Sequence, residues 1–185
     1  MDSEKTNERG SSVFPRPGSM AHDMIYNEQA YKRYIKLFKI ANKIVVPLYR
    51  WGLVPVLGFG RLFLVITTKG RKSGKERNNP VEYRSIDGVI HVFSGFGKRA
   101  NWFKNMFAHP DDVYVRVGFQ RFRARCEVLD ELAGEEVFRW LARNQPTYFR
   151  AFGWDPKHDD PETADLSELA RMMKVIRLHE VEILS

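Results

Sequence analysis

The chain of 185 residues is poor in cysteine, because Cys126 is the only one. A lone cysteine excludes an internal disulfide and a thiolate metal cluster, and it is typical of a reducing compartment. The five histidines do not occur at the close spacings of a metal motif, so the sequence predicts no metal site. Together these absences favour a cytoplasmic protein.

Long apolar runs are also missing. No stretch approaches the roughly 18 apolar residues of a membrane span, and the first residues lack the apolar region of a secretory signal. Walker and GxGxxG patterns are absent, which leaves no support for a P-loop or a Rossmann site. What is present is 43% hydrophobic content and a net charge of +7. These values predict one domain with a core, and they favour acidic partners.

Composition divides the chain into three parts. Residues 1–23 are polar and contain serine, proline and glycine, which predicts a disordered, mobile tail. Residues 24–60 combine an amphipathic helix with the apolar connector WGLVPVLGF. Residues 61–185 alternate as strands do and form the predicted barrel domain that binds a cofactor.

The N-terminal helix is predicted from about Asn27 to Tyr49, and Pro47 is expected to kink or end it. Apolar side chains recur at steps of three and four residues, while lysines line another face. Two interpretations stay open. The helix lies peripherally on a membrane with its lysines toward anionic headgroups, or it docks on the domain and shows its lysines to water.

Segments of alternating or apolar residues predict six strands, and Asp87-Gly88 is a tight-turn signal between the second and the third. The strands are predicted at 62–66, 79–84, 89–94, 112–118, 120–129 and 175–184. Helices are predicted at 101–108, with Asn101 as N-cap, at 131–144 and at 166–173. Six mostly antiparallel strands with short helices predict an α+β fold built on a small closed or split β-barrel.

A dense basic turn follows the first strand. Lys69, Arg71, Lys72, Lys75 and Arg77 are opposed only by Glu76. Two glycines and Ser73 add flexible backbone and a hydroxyl group. Such a turn suits an extended anion, for example the phosphate and carboxylate tail of a cofactor. From local chemistry alone, a solvated hairpin turn is the alternative.

No Ser-His-Asp, Cys-His or paired-carboxylate arrangement can be assembled from the spacing. Cys126 falls on the apolar face of a predicted strand, which indicates a buried, inert thiol. An enzyme without a nucleophile of its own usually uses the reactivity of a cofactor.

The order of the motifs resembles the deazaflavin (F420)-dependent nitroreductase family. An apolar strand leads through TT, GRKSG and Asn79-Pro80 to a second strand, a DG turn, a strand ending in Ser94-Gly95, and a helix with WFxN. The resemblance covers roughly residues 60–150. It implies a six-stranded antiparallel split β-barrel, FMN-binding-like, that binds coenzyme F420, an 8-hydroxy-5-deazaflavin hydride carrier.

The resemblance also implies roles for individual residues. Arg71, Lys72 and Ser73 would hold the acidic tail and phosphate of the cofactor. The path from tail to ring would be lined by Arg77, Asn78, Asn79, Pro80 and Val81. Backbone groups of Val92, Phe93, Ser94 and Gly95 would face the ring, and Trp102, Phe103 and Asn105 would cover it. Ordinary core packing is the alternative for the two aromatic residues.

Tyr148, in the sequence Pro146-Thr147-Tyr148, matches the tyrosine that family members direct at the substrate, which implies that it orients or protonates the acceptor. A surface tyrosine without a role is the alternative. The chain departs from the family at Gly95, where a lysine is frequent, and at Ala151, where a second aromatic is expected. The helix of Trp102 also lacks the usual proline before it.

Three classes of function follow. The first is an F420-dependent oxidoreductase, with FMN as the alternative cofactor, that passes a hydride to a small electron-poor acceptor such as an enone, a quinone or a nitro compound. The second is a non-catalytic carrier of flavin, haem or fatty acid. The third, nucleic-acid binding, is disfavoured because no recognition motif is present. The expected assembly is a monomer or a homodimer.

Overall fold

The computed structural model describes residues 12–51, 53, 63–95 and 97–184. The helices are α1 Met20–Tyr26, α2 Glu28–Arg50, α3 Asn101–Ala108, α4 Glu131–Asn144, α5 Pro146–Phe149 and α6 Ser167–Met172, with 3₁₀ turns at Gly97–Arg99 and Arg150–Phe152. The strands are β1 Phe63–Lys69, β2 Glu76–Ile86, β3 Val89–Ser94, β4 Val113–Val117, β5 Gln120–Val128 and β6 Lys174–Ile183. They close into an antiparallel barrel in the order β1-β2-β3-β6-β5-β4, which confirms the predicted fold.

The first hairpin is longer than the sequence predicts. Thr67, Thr68 and Lys69 pair with Asn78, Arg77 and Glu76, so both strands continue into the basic segment. Charged residues remain in strands here because their side chains reach solvent while the backbone groups pair. The turn therefore shrinks to residues 70–75. Leu62, the predicted start of the first strand, lies outside the described residues.

The contact between β2 and β3 is short and opens part of the barrel wall. Their pairing runs from Ile86–Val89 to Tyr83–Val92. In the described register, residues 76–82 of β2 pair only with β1, whereas Phe93 and Ser94 pair only with β6. Helix α3 follows in the chain and places Phe103 and Met106 in the barrel core. This opening gives the closed barrel its split.

The two larger apolar clusters among the described residues hold the fold together. One fills the barrel and includes Leu64, Val92 and Phe122. The other lies between the barrel and the helices and includes Phe138 and Phe149. Burial of these side chains supplies the main driving force for folding.

The N-terminal segment corrects the prediction of a mobile tail over residues 1–23. Phe14 is 0% exposed, and its ring lies 5.2 Å from that of Trp154. Arg16 donates to the carbonyl oxygen of Gly153 at 2.9 Å and to Asp159 at 2.8 Å. A buried aromatic ring and these polar contacts hold residues 12–19, which are polar in composition, on the domain. Residues 1–11 lie outside the described part of the chain.

Helix α2 crosses the barrel from one end to the other. Near its start, Glu28 pairs with Arg99 at 3.0 Å. At its end, the hydroxyl of buried Tyr49 donates to the carbonyl of Phe63 at 3.1 Å and accepts from the N–H of Gly118 at 2.9 Å. The helix continues past Pro47 to Arg50, contrary to the expected break, because these bonds anchor its last turn.

The predicted docking of the N-terminal helix on the domain is therefore observed, but one of its apolar faces stays exposed, as described below. Among the residues that the structure describes, no helix is both long and apolar enough to cross a membrane. The apolar connector falls mostly on residues outside the described part.

Candidate functional site

The basic turn closes on itself through backbone hydrogen bonds. The carbonyl oxygen of Gly70 accepts from the N–H groups of Ser73 at 3.1 Å and Gly74 at 2.7 Å. A Cβ at Gly70 would lie 2.9 Å from Ser73 Oγ and 3.1 Å from the carbonyl oxygen of Lys75, so a larger residue would have to shift the turn. Ser73 Oγ accepts from the Lys75 N–H at 3.4 Å and from Arg77 Nη2 at 3.3 Å. Its own proton can therefore be donated to a ligand.

Arg71 is held by two neutral amides of α3. The side-chain oxygen of Asn105 accepts from the Arg71 N–H at 3.3 Å and from Nη1 at 3.1 Å. The oxygen of Asn101 accepts from Nη1 and Nη2, both at 3.4 Å. Within the described residues no carboxylate pairs with Arg71. The guanidinium is thus fixed in position without loss of its positive charge, which suits an anion.

Asn101 has a different place from the predicted N-cap. Ala100 occupies the cap position of α3 and makes no side-chain capping bond, and Asn101 is the first helical residue. Its side chain points to Arg71 instead. The contact with a distant turn outweighs the local capping preference of asparagine.

A cavity of about 420 Å³ lies between this turn, the start of β2 and α3. Its walls bring together seven of the residues predicted from the sequence. These are Arg71, Lys72, Ser73, Arg77, Asn79, Trp102 and Asn105. Gly70 and Asn101 also line it and were not predicted as site residues. Three cationic side chains around one cavity suit a polyanion.

Four other predicted residues lie away from the cavity walls. The Asn78 side chain accepts a hydrogen bond from Thr67 Oγ1 at 2.6 Å. Pro80 pairs with Val65 in the first hairpin, and the side chain of Val81 is in the barrel core. Phe103 is 3% exposed and also packs in that core. Ordinary core packing, the alternative given above for the two aromatic residues, therefore applies to Phe103. It does not apply to Trp102, which lines the cavity.

The residues predicted to face a ring lie at the opened edge of β3. Val92 pairs with both neighbouring strands, so its backbone groups belong to the sheet. Phe93 and Ser94 lie past the end of the pairing with β2. Ser94 Oγ is buried and donates to the carbonyl of Gly97 at 2.7 Å. The edge formed by Phe93 and Ser94 is therefore the part of this group that a planar ring can approach.

Gly95, the residue after that edge, is covered by helix α1. A Cβ built there would lie 3.3 Å from the terminal carbon of Met24. A lysine, frequent at this position in the resembling family, would have to displace Met24. The absence of a side chain at Gly95 thus leaves the space that Met24 of α1 occupies. Sequence reasoning missed this contact because it joins residues 71 positions apart in the chain.

Tyr148 lies on the outer side of β2 and does not line the cavity. The guanidinium carbon of Arg84 lies 4.4 Å from the centre of its ring. Burial raises the pKa of the Tyr148 hydroxyl, and the hydrogen bond and charge of Glu82 raise it further. Arg84 is itself held by Glu82 at 2.7 Å and by the carbonyl of Tyr83. Tyr148 is therefore a neutral hydrogen-bond donor in a fixed position.

Other reactive groups do not form a second catalytic centre in the described ranges. Burial raises the pKa of the Cys126 thiol to about 12, so it stays protonated and unreactive at neutral pH. No three His, Cys, Asp or Glu side chains of the described residues lie close enough to hold a metal ion.

The fold and the site define a six-stranded antiparallel barrel protein with a cationic cavity beside its first hairpin. Over residues 56–153, more than half of the chain, the sequence matches the family described as F420H(2)-dependent quinone reductase. The chain belongs to this family. It is an F420-dependent oxidoreductase, and coenzyme F420 is its cofactor.

Solved structures with related folds are also found. An F420-H2-dependent reductase (FDR-A) is 21% identical, with 64% of this chain and 95% of that chain covered and a TM-score of 0.44. An F420 reductase is 11% identical, covering 66% and 89%, with a TM-score of 0.40. A structure described as a domain-swapped dimer is 21% identical, covering 64% and 81%, with a TM-score of 0.43. No curated protein gives a significant match.

The cavity fits the anionic part of this cofactor. Arg71 keeps its charge because its partners are amides, and Lys72 and Arg77 stand on the same walls. Because Gly70 has no Cβ, no side chain crowds the Ser73 hydroxyl from that position. These groups match the charge and hydrogen-bonding needs of a phosphate and a carboxylate tail.

Proposed function

We propose that this oxidoreductase delivers the hydride of reduced F420 to a quinone or to a similar electron-poor carbonyl or nitro compound. The observation that carries the proposal is the Arg71 guanidinium, fixed by Asn101 and Asn105 without a carboxylate in the described residues. A site that keeps its cation unneutralised is prepared for an anionic tail. The family description supports a quinone as the acceptor.

Tail and ring would occupy different parts of the barrel opening. Arg71, Lys72 and Ser73 would bind phosphate and carboxylates, and Arg77 and Asn79 would continue toward the opened strand edge. The ring would meet the backbone of Phe93 and Ser94, beyond the end of the β2–β3 pairing. When bound, reduced F420 supplies a hydride from its C5 atom.

Tyr148 would act on the acceptor. Hydride addition to a carbonyl or a quinone leaves negative charge on oxygen, and a neutral hydroxyl can donate a hydrogen bond or a proton to it. The raised pKa of Tyr148 keeps that proton available throughout the neutral range. For this role the hydroxyl must turn from Glu82 toward the acceptor.

The direct test is to titrate the purified protein with F420 and with FMN and to follow fluorescence quenching. Micromolar affinity for F420 and much weaker binding of FMN is the expected result. Turnover is then measured by the loss of reduced F420 absorbance with 2-methyl-1,4-naphthoquinone, a cyclic enone and a nitroaromatic compound. Binding without turnover of any acceptor would favour the carrier function instead.

We also propose that the protein contacts membranes peripherally through α2. Besides the face that docks on the barrel, α2 carries a second apolar stripe formed by Leu37, Ile40 and Ile44, all exposed. Exposed Lys39 and Lys43 adjoin it. An exposed apolar stripe beside lysines is the pattern of an interfacial helix on anionic lipid. Such contact would give access to a lipophilic quinone.

A further inference from the structure

A second cavity, of about 790 Å³, lies on the other side of α3. The helix presents Asn101, Trp102 and Asn105 to the first cavity. It presents Phe103, Lys104 and Phe107 to the second. Arg71 lines both cavities and is their common wall. The cofactor assignment above makes no use of this second space.

The floor of the second cavity is apolar. It is formed by Phe103, Phe107, Val128 and Leu129. Phe107 is 59% exposed although its ring lies 4.9 Å from that of Phe103 in an edge-on arrangement. A ligand that covers Phe107 removes a large apolar area from water, which favours binding. The volume falls within the range of about 300–1,000 Å³ typical of small-molecule pockets.

The rim of the cavity is cationic. Arg71, Lys98, Lys104 and Lys174 come from four different parts of the fold. Lys174 is engaged with Glu131 at 3.6 Å. Lys98 and Lys104 make no ion pair with any carboxylate of the described chain. Two lysines and Arg71 therefore remain for an anionic group.

The two carboxylates of the rim have other partners. Glu131 pairs with Lys174, and Asp130 accepts the Ala133 N–H at 2.8 Å as the N-cap of α4. Neither carboxylate therefore forms an ion pair with Lys98 or Lys104, and the cationic groups of the rim outnumber the anionic ones. A polyanionic chain would gain little from the apolar floor, whereas a ligand with one anionic end and an apolar body would use both parts.

We infer that the second cavity binds a small amphipathic carboxylate, with its apolar body on Phe103 and Phe107 and its carboxylate at Lys98, Lys104 and Arg71. Since Arg71 lines both cavities, this ligand and the cofactor tail compete for one guanidinium. Each therefore weakens the binding of the other by the same factor. The coupling rests on the proposed function, but the binding of the carboxylate does not.

The test is calorimetric titration of the cofactor-free protein with decanoate, with decanol and decyltrimethylammonium as matched ligands. Decanoate is expected to bind at one saturable site, about tenfold more tightly than either control. Lys104→Glu and Phe107→Ser should each weaken decanoate binding about tenfold. Lys157→Glu and Phe119→Ser change exposed residues outside the cavity and should leave it unaltered. Thermal unfolding of every variant verifies that it is folded.

Equal binding of decyltrimethylammonium, or unchanged decanoate binding in both cavity variants, would overturn the inference. Lys72→Ala removes a charge that lines the first cavity only, so loss of decanoate binding there would assign the ligand to that cavity and also overturn the inference. Saturating decanoate should weaken F420 binding about threefold or more. If Lys104→Glu weakens F420 as much as decanoate, the second cavity holds the cofactor tail and the inference is wrong.

Discussion

The side-chain oxygen of Asn105 accepts two hydrogen bonds from Arg71, one from its backbone N–H at 3.3 Å and one from Nη1 at 3.1 Å. The amide nitrogen of Asn105 donates to the hydroxyl of buried Thr68 at 3.5 Å. Asn105 is 5% exposed, so water does not replace these partners easily. One buried neutral group therefore connects α3, β1 and the basic turn.

Replacing Asn105 with aspartate should weaken F420 binding about tenfold. The variant keeps the shape and the acceptor atoms but places a negative charge beside Arg71, so less positive charge remains for the cofactor tail. Fluorescence titration with F420 measures the change. Asn144→Asp, at an exposed helix end, is the charge-matched control. A change of less than about twofold in Asn105→Asp would show that the neutrality of the amide is unimportant.

Removing Arg71 and Lys72 together, as Arg71→Ala with Lys72→Ala, should weaken F420 binding strongly and make it less dependent on salt. The affinity of the wild type should fall as ionic strength rises, because salt screens the exposed charges. The control is Lys32→Ala with Arg33→Ala, which removes two exposed charges from α2. Identical salt dependence in the two double variants would exclude the turn from the cofactor site.

Tyr148→Phe should lower kcat about a hundredfold while F420 affinity stays the same, because only the proton donor is lost. Burial and Glu82 raise the pKa of this hydroxyl, so the protonated form is favoured in the folded protein. The protonated hydroxyl contributes its full amount to the free energy of unfolding below the ordinary tyrosine pKa of about 10. This contribution is lost as the pH rises through the higher pKa of the folded state. The part of kcat that depends on the Tyr148 proton should therefore stay constant from about pH 7 to about pH 9.

A pH–rate profile of wild type and variant checks this expectation. If the wild type loses activity with a deprotonation below about pH 9 that Tyr148→Phe abolishes, the assigned environment of the hydroxyl is wrong. An unchanged kcat in the variant would show that Tyr148 has no catalytic role, which is the alternative stated in the sequence analysis.

Elements set by local pattern were predicted with their observed bounds. Strand β3, helix α3 and helix α4 match because alternation, the Asp87-Gly88 turn and the Asp130 cap act within a few residues. Helix α1 and the extended hairpin were missed. Helix α1 has a local N-cap at Ser19, which the sequence prediction overlooked, whereas the extended hairpin depends on cross-strand pairing of charged residues. The cross-strand pairing is not visible in a short window of sequence.

The candidate site divides in the same way. Arg71, Lys72 and Ser73 share one turn, so their grouping followed from adjacency. The contact of Arg71 with Asn105 joins residues 34 positions apart and needed the three-dimensional arrangement. The expected cover of the cofactor by Asn105 stays a prediction, and its observed contact is with Arg71.

Substituting asparagine for Leu37, Ile40 and Ile44 together should reduce co-sedimentation with phosphatidylglycerol vesicles about tenfold or more, because the exposed apolar stripe is lost. The matched control replaces Leu132, Val181 and Ile183, three aliphatic residues exposed elsewhere. Deleting residues 1–50 is unsuitable, since it removes buried Phe14 and Tyr49 as well. Equal sedimentation of the two triple variants would reject membrane contact through α2.

Phe14→Ala should destabilise the protein by about 3–5 kcal/mol, because it leaves a cavity beside Phe149 and Trp154. Urea unfolding followed by tryptophan fluorescence measures the change. Val13→Ala, at a half-buried neighbour, is the control and should cost much less. A loss below about 1 kcal/mol for Phe14→Ala would restore the view that this segment is a tail.

Because α3 has one cavity on each side, the dimensions of the two spaces are not independent. A shift of the helix toward one cavity narrows that cavity and widens the other. Enlarging either space by substitution on this helix therefore reshapes the other. Substitutions meant to widen the range of acceptors should therefore be made in β2 and α5, because changes in α3 would alter both cavities.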